Sequence, residues 1–127
     1  MKKLTPLSKA RLIARIAAEK KGENIVIMDM RRVSMMCDWF VLVSAGSSRR
    51  INTIANTLQR ELSKKKISAT RVEGKQNQYW VLLDFSDVVV HIFHEQIRDF
   101  YGLERLWSDA PIERFNNKCL VKTSPEE

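Results

Sequence analysis

The sequence predicts an α/β protein in which a mixed five-stranded sheet carries its helices mainly on one face. Segments with helical and strand periodicity follow one another in the order α, β, β, α, β, β, β, α. Two strands joined through a helix are expected to be parallel and two joined by a tight turn antiparallel, which makes the sheet mixed. Three predicted helices can cover one face of such a sheet, so part of the other face is expected to stay open.

The chain is expected to begin with a helix and two strands. Thr5 is a predicted N-cap with Pro6 at the first helical position, and apolar residues recur at helical spacing until Gly22. Residues 25–29 are a short apolar run of strand length. Residues 38–44 are a second run, so continuously apolar that we expect a central strand covered on at least one side.

A long helix and a third strand follow this central strand. Ser47 or Ser48 is the predicted N-cap of a helix with one apolar stripe, which ends at the lysines of residues 64–66. Residues 69–73 are predicted to form a strand, and residues 95–101, which come after a hairpin, the last helix.

One domain is predicted over residues 1–111, because a chain of 127 residues can bury one core but not two. Residues 112–127 show no periodicity and are expected to form a mobile tail. No run approaches the roughly 18 apolar residues of a membrane span. Cys37 and Cys119 have no CxxC or ligand partner near them in sequence. We therefore expect a cytoplasmic protein without a zinc site or disulfides.

Residues 79–92 predict a hairpin whose two faces differ. With Phe85 and Ser86 as a two-residue loop, Trp80 would lie opposite His91. The predicted core face comprises Tyr79, Val81, Leu83, Val88, Val90 and Ile92. The predicted outer face comprises Trp80, Leu82, Asp84, Asp87, Val89 and His91. An aromatic and two aliphatic side chains rimmed by carboxylates are typical of a docking patch, so this face is predicted to bind a partner.

Charge divides the chain into two halves of opposite sign. Residues 1–75 hold 17 Lys and Arg against 6 Asp and Glu, whereas residues 76–127 hold 5 against 9. The basic half indicates a polyanion such as nucleic acid, unless its cations only form the solvated side of helices. The acidic hairpin indicates a basic protein surface as its partner.

Chemistry-bearing residues occur in the hairpin without a complete catalytic or metal site. His91 and His94 have HxxH spacing, but an offset of three on a strand places them on opposite faces. Asp84 and Asp87 lack a third ligand close in sequence. We therefore predict no metal, no cofactor and no catalytic residues.

The segment 45–50 joins the central strand to the long helix. Its backbone N–H groups and two arginines can hold a phosphate, but helix capping by Ser47 or Ser48 is the favoured interpretation. A nucleotidyltransferase would add a carboxylate pair on the next strand to bind two metal ions. Residues 69–73 contain a single carboxylate, Glu73, which argues against that enzyme class.

Five blocks of the sequence stand out together. They are DWFVLVSAGSSR at 38–49, RVEG at 71–74, WVLLD at 80–84, DVVVH at 87–91 and YGLERLW at 101–107. In this order they closely resemble the Iojap (RsfS) family of ribosomal silencing factors. The resemblance implies a nucleotidyltransferase-like fold without catalytic machinery, hence no enzyme. It also implies binding to the large ribosomal subunit through large-subunit ribosomal protein number fourteen, which blocks association with the small subunit and represses translation.

The family's binding surface involves the strand that begins with this tryptophan and the turn after it. Combined with the alternation in the hairpin, the candidate partner-binding residues are Trp80, Leu82, Asp84, Phe85, Asp87, Val89 and His91. The alternative is a general RNA-binding domain of the ribosome-associated type that uses the basic half. Whether the free protein forms a homodimer stays open.

Two positions depart from the family pattern. Ser86 stands where the family usually has glycine in the hairpin turn, and a two-residue turn commonly needs φ > 0 there, at a cost of about 1 kcal/mol for a residue with a Cβ atom. The family's SSRH reads SSRR here, which adds charge at a helix start. Arg49 and Arg50 are therefore candidate contacts to ribosomal RNA.

Overall fold

The computed structural model describes residues 5–33, 35, 37–75, 79–96, 110–115 and 120–123. Two helices and seven strands lie within these ranges, in the order α1 (Pro6–Glu19), β1 (Glu23–Asp29), β2 (Trp39–Ala45), α2 (Ser48–Ser63), β3 (Arg71–Glu73), β4 (Trp80–Asp84), β5 (Val88–His94), β6 (Ile112–Phe115) and β7 (Leu120–Thr123). The predicted α/β class is confirmed. Neither described helix is long and apolar enough to cross a membrane.

One mixed sheet contains all seven described strands, in the order β3-β4-β5-β2-β1-β6-β7. β2 and β5 run parallel because α2 and the β3–β4 segment lie between them in sequence, and every other pair is antiparallel. β2 lies fourth in this order, and all seven of its residues are buried. The prediction of a continuously apolar central strand is therefore confirmed.

Helix α1 begins as its sequence predicts, but a different residue from the predicted one ends it. The Thr5 side chain accepts a hydrogen bond from the Ser8 N–H at 3.1 Å, and Pro6 takes the first helical position. The left-handed residue at the end is Lys21, with φ 69°, and not Gly22. Gly22 is required for space, since a Cβ atom there would lie 2.7 Å from Cγ1 of Val43.

Helix α2 packs its apolar stripe on the sheet beside α1. Ser47 is the N-cap, because its hydroxyl accepts from the Arg50 N–H at 3.1 Å. The stripe includes the fully buried Ile51, Ile54, Ala55, Leu58 and Leu62. The capping interpretation of the segment 45–50 is therefore confirmed, with Ser47 as the cap.

Apolar side chains fill both faces of the sheet. The larger cluster lies between the sheet and the two helices and includes Val41, Val43, Val81, Leu83 and Ile92. A second cluster on the opposite face comprises Val26, Met28, Met30, Cys37, Phe40, Leu42, Phe93 and Ala110. The second face is therefore buried at its centre, and it opens less than the sequence analysis expected.

The prediction of five strands is wrong, because residues after Pro111 add two more. β6 pairs with β1 over residues Ile112, Glu113 and Arg114. Glu113 is buried and accepts two hydrogen bonds from the Arg11 guanidinium, at 2.8 and 3.3 Å, which ties β6 to α1. The expected tail without regular structure is thus wrong for these strands. The helix predicted at 95–101 lies mostly outside the described residues.

Candidate docking face

The hairpin of β4 and β5 turns through Ser86 and Asp87, and not through the predicted pair Phe85 and Ser86. Trp80 is paired with Phe93, Leu82 with His91 and Asp84 with Val89. The predicted partners of the β4 residues were wrong by two positions along β5. Since side chains alternate with a period of two, this shift leaves every strand residue on its predicted face.

The turn holds Ser86 in a backbone conformation that side chains disfavour. Its φ is 75°, as expected for a position where the resembled family has glycine. The N–H of Asp87 donates to the Phe85 carbonyl at 3.1 Å, which closes a three-residue γ-turn around Ser86. The Asp84 carboxylate accepts from the Ser86 N–H at 2.8 Å. This bond gives Asp84 a structural task within the turn.

Trp80, Leu82, Asp84 and Val89 lie on the sheet face opposite the helices and are each half-buried. We call these four residues the Trp80 face. Val81, Leu83, Val88, Val90 and Ile92 of the predicted core face are fully buried on the helix side, as predicted. Tyr79 is an exception, because it precedes the strand and is 57% exposed.

Phe85 and Asp87 do not belong to the Trp80 face, contrary to the sequence prediction. Phe85 is 2% exposed and packs in the cluster beneath the helices, because it continues the alternation of Val81 and Leu83. Asp87 lies in the turn, and its carboxylate is 2.7 Å from Nζ of Lys9 in α1. Phe85 is therefore inaccessible to a partner, and the Asp87 carboxylate, whose side chain is 32% exposed, is engaged by Lys9.

His91 lies on the same side of the sheet as the Trp80 face but is buried, at 5% exposure. Its Nδ1 accepts from the indole N–H of Trp80 at 3.1 Å. Its ring lies 4.7 Å from that of Phe40 and stacks on that of Phe93 at 6.0 Å. Burial lowers the pKa of His91 from the usual 6.5 to about 4, so the imidazole is neutral at pH 7.

A groove of about 250 Å³ adjoins the Trp80 face and is lined by Glu73, Gly74, Trp80 and Leu82. Glu73 and Gly74 were missed as site residues in the sequence analysis, although they belong to the RVEG block. The signal that identifies them is strand pairing, since Glu73 lies opposite Leu82 and therefore shares its face. Gly74 has φ 88°, and a Cβ atom there would collide with the Trp80 carbonyl oxygen.

The Trp80 face is less acidic than the sequence predicts. Asp87 is engaged by Lys9 on the helix side. Arg71 lies opposite Asp84 in the sheet and bonds Glu73 at 2.7 Å. A partner that binds the Trp80 face would therefore be held mainly by apolar and aromatic contacts. The border of the face carries side chains of both charges.

Arg49 and Arg50 are not part of the Trp80 face but line a separate cleft between the end of α1 and the start of α2. The cleft measures about 400 Å³ and is lined by Glu19, Lys20, Lys21, Ser47, Arg49, Arg50 and Thr53. Six ion pairs join described residues elsewhere, and they include none of these four cations. Within the described part of the chain these cations form no ion pair, so the cleft holds four cations against the single carboxylate of Glu19 and is positively charged.

The carboxylates of the hairpin do not form a catalytic pair. Asp84 bonds the backbone of the turn, whereas Asp87 bonds Lys9 on the other side of the sheet. Within the described ranges, no group of three His, Cys, Asp or Glu side chains is placed to hold a metal ion.

Sequence comparison relates the chain to proteins of one family. The RsfS family model, described as "Ribosomal silencing factor during starvation", matches residues 3–127. The Ribosomal silencing factor RsfS of Bacillus subtilis (strain 168) is 36% identical over 104 residues, which cover 79% of this chain and 88% of the relative. The chloroplastic protein Iojap of Zea mays is 37% identical over 108 residues, which cover 84% of this chain and 47% of that longer protein.

Solved structures show the same fold. A crystal structure of a Chromobacterium violaceum protein matches with a TM-score of 0.78 and 27% identity, over 81% of this chain and 86% of that one. A crystal structure of a Bacillus halodurans protein matches with a TM-score of 0.70 and 35% identity, over 76% of this chain and 90% of that one.

Proposed function

The chain belongs to the RsfS family of ribosomal silencing factors, and we propose that it represses translation by docking its Trp80 face on large-subunit ribosomal protein number fourteen. In this proposal the bound protein prevents the small subunit from joining. It acts as a binding factor in the cytoplasm, where subunits associate, and catalyses no reaction.

The observation that carries the proposal is the half-buried pair Trp80 and Leu82 beside the groove with Glu73 and Gly74. Anchors of protein interfaces are often tryptophans in a partly formed pocket, surrounded by a polar border. Here the border is supplied by Arg71, Glu73 and Asp84. Trp80 and Leu82 are the central contacts of the proposed interface.

The arrangement of layers supports occlusion as the mechanism. The Trp80 face lies on one side of the sheet, whereas α1 and α2 cover the other side. When the Trp80 face is docked, the helical layer projects away from the large subunit. A domain of 14.8 kDa then occupies the space that the small subunit needs.

Co-sedimentation with separated ribosomal subunits tests the proposed docking face. The wild-type protein should sediment with large subunits and not with small subunits. Trp80→Ala should weaken this binding by about 2 kcal/mol or more, because it removes the central anchor. Circular dichroism and urea unfolding would establish that the variant is folded.

Two control variants separate the docking face from its surroundings. Tyr79→Ala removes a neighbouring exposed aromatic that precedes β4, and Asp87→Asn weakens the contact with Lys9 on the helix side. Both should bind large subunits as the wild type does. Equal binding to both subunits, or unchanged binding of folded Trp80→Ala, would contradict the proposal.

The basic cleft supports a second candidate function, namely binding to RNA. Lys20, Lys21, Arg49 and Arg50 can neutralise phosphates of an RNA backbone, either as a contact of the docked protein to ribosomal RNA or as an independent activity. Arg49→Gln combined with Arg50→Gln should lower the salt dependence of binding by about one unit for each lost phosphate contact. Arg15→Gln, on the exposed side of α1, is the control. If the protein binds naked RNA and Trp80→Ala leaves that affinity unchanged, this second function is favoured over docking on a protein.

A further inference from the structure

His91 is a buried polar side chain inside an aromatic cluster. Its ring is surrounded by Phe40, Phe93 and Trp80, with ring centroids at 4.7, 6.0 and 5.8 Å. A residue needed only to fill this space would be apolar, since burying an imidazole costs solvation free energy. The presence of a histidine at this position therefore calls for another reason.

The hydrogen bonds of His91 determine its tautomer. Nδ1 accepts the indole N–H of Trp80 at 3.1 Å, so the proton of the neutral ring resides on Nε2. Nε2 is buried, and no described residue is placed to accept a hydrogen bond from it. Such an unsatisfied buried donor destabilises the folded state. The buried Nε2–H of His91 thus lowers the stability of the folded protein. Its Nδ1 accepts the hydrogen bond that holds Trp80.

His91 and Phe93 both hold Trp80, while part of its side chain stays accessible. The His91 acceptor holds the indole N–H, and the Phe93 ring packs on the indole with centroids 5.0 Å apart and planes at 32°. A tryptophan fixed in this way loses less side-chain entropy when a partner buries it. Such preorganisation raises affinity without adding a contact to the partner.

We propose that His91 is a positioning residue, which locks the Trp80 indole in the orientation that the ribosomal partner recognises. This inference rests on the proposed function, because it assigns His91 a task at the same docking face. His91 does not touch the partner. It acts through the hydrogen bond to Trp80 and through the stack with Phe93.

Two variants of His91 separate positioning from packing. His91→Phe keeps an aromatic ring in the cluster but removes the acceptor for the indole. His91→Asn keeps an acceptor near the position of Nδ1, because its amide oxygen branches from the same carbon, but loses ring volume. Positioning predicts that affinity falls in the order wild type, Asn, Phe. Packing alone predicts that affinity follows stability, in which the Phe variant exceeds the Asn variant.

The binding measurement uses the full chain and purified large ribosomal subunits, with urea unfolding of each variant in parallel. His91→Phe should weaken binding about tenfold, the effect of one lost hydrogen bond, while its stability equals or exceeds that of the wild type. His91→Asn should retain most of the affinity although it is less stable. Undiminished affinity of His91→Phe, or affinities that follow stability, would overturn the inference.

The indole N–H of Trp80 provides a readout that needs no ribosome. In ¹⁵N-labelled protein its resonance is assigned by its loss in Trp80→Phe, and its exchange with solvent should be slow in the wild type. Exchange should accelerate in His91→Phe and stay slow in His91→Asn. Equal exchange in all three proteins would refute the lock itself.

Trp80→Ala distinguishes a failure of the positioning role of His91 from a failure of the docking face. If Trp80→Ala loses binding and His91→Phe keeps it, the positioning role is wrong and the docking face stands. If folded Trp80→Ala keeps full binding, the proposed docking face is wrong. The proposed role of His91 in partner binding is then wrong too, even if the exchange of the indole N–H behaves as expected.

Discussion

Single residues of the hairpin differ in which side of the sheet they occupy and in what they bond. Asp84 and Asp87 look equivalent in the sequence, yet one bonds the backbone of the turn and the other bonds Lys9 in α1. Likewise, Trp80 and Phe85 are both aromatic residues of one hairpin, but they lie on opposite faces of the sheet. The sheet face and the contacts of each side chain therefore depend on whether its position along the strand is odd or even and on where the turn lies.

Ser86→Gly is expected to stabilise the protein by up to about 1 kcal/mol, because glycine adopts a φ of 75° without the clash of a Cβ atom. Part of the gain is offset by the greater freedom of glycine in the unfolded chain. Urea unfolding measures the difference. Ser86→Ala, which loses the hydroxyl but keeps the Cβ atom, is the control and should show no gain. Equal stabilisation by both variants would show that the positive φ of Ser86 is not the cause of the gain.

His91 makes stability depend on pH. Because its pKa is lowered from 6.5 to about 4 in the folded protein, the unfolded chain takes up this proton first as pH falls. The stabilising contribution of the neutral form is complete above pH 6.5 and is lost progressively down to pH 4. The total loss is on the order of 3 kcal/mol.

His91→Phe is the control for this pH dependence, because it removes the titrating group from the cluster. The free energy of unfolding of the variant should fall less between pH 6.5 and 4 than that of the wild type. Unfolding curves measured in urea at several pH values give both slopes. Parallel slopes would show that other groups cause the dependence.

At the scale of elements, most helices and strands were predictable, whereas the pairing between them was less so. Capping by Thr5 and Ser47, the buried β2 strand and the faces of the hairpin all follow from local pattern. The turn was displaced by one residue, because Phe85 fits the core beneath the helices and is drawn into β4's alternation. A one-residue error in strand parity would have inverted both faces, but this change of turn preserved them.

The strand β6 is attached to α1 by an ion pair that the sequence did not indicate. Arg11→Ala should lower the free energy of unfolding by about 2 kcal/mol, because it leaves the buried Glu113 carboxylate without its partner. Arg15→Ala, one turn further along the same helix and exposed, should change stability little. Thermal unfolding compares the two variants. Equal effects would indicate that helix propensity, and not the contact with β6, is responsible.

At the scale of the whole molecule, the sheet separates the Trp80 face from the helical side. The proposed occlusion depends on this separation, because the face that binds and the body that blocks lie on opposite sides. The basic cleft lies between the two helices, and none of its lining residues belongs to the Trp80 face. The molecule therefore offers two distinct surfaces to a large ribonucleoprotein, one apolar and one cationic.

Order of addition tests occlusion. The protein added to free subunits should prevent their association, whereas the same amount added to assembled ribosomes should have little effect, because the site is then covered. Sucrose-gradient profiles measure the fraction of joined ribosomes in both orders. Folded Trp80→Ala should leave the fraction of joined ribosomes unchanged in both orders of addition. Inhibition of assembled ribosomes as strong as that of free subunits would show that the protein acts at another site.

The sequence by itself determined the α/β class, the family and the division of the hairpin into a core face and an outer face. These features depend on local periodicity and on short blocks of residues, which the chain carries wherever it folds. The tertiary structure alone decided that Glu73 and Gly74 join Trp80 and Leu82, that Asp87 is engaged by Lys9, and that β6 extends the sheet. The last two are contacts between segments far apart in sequence, and the first depends on how the neighbouring strands β3 and β4 pair. Such pairings are selected by the packing of the whole chain and not by the pattern of any one segment.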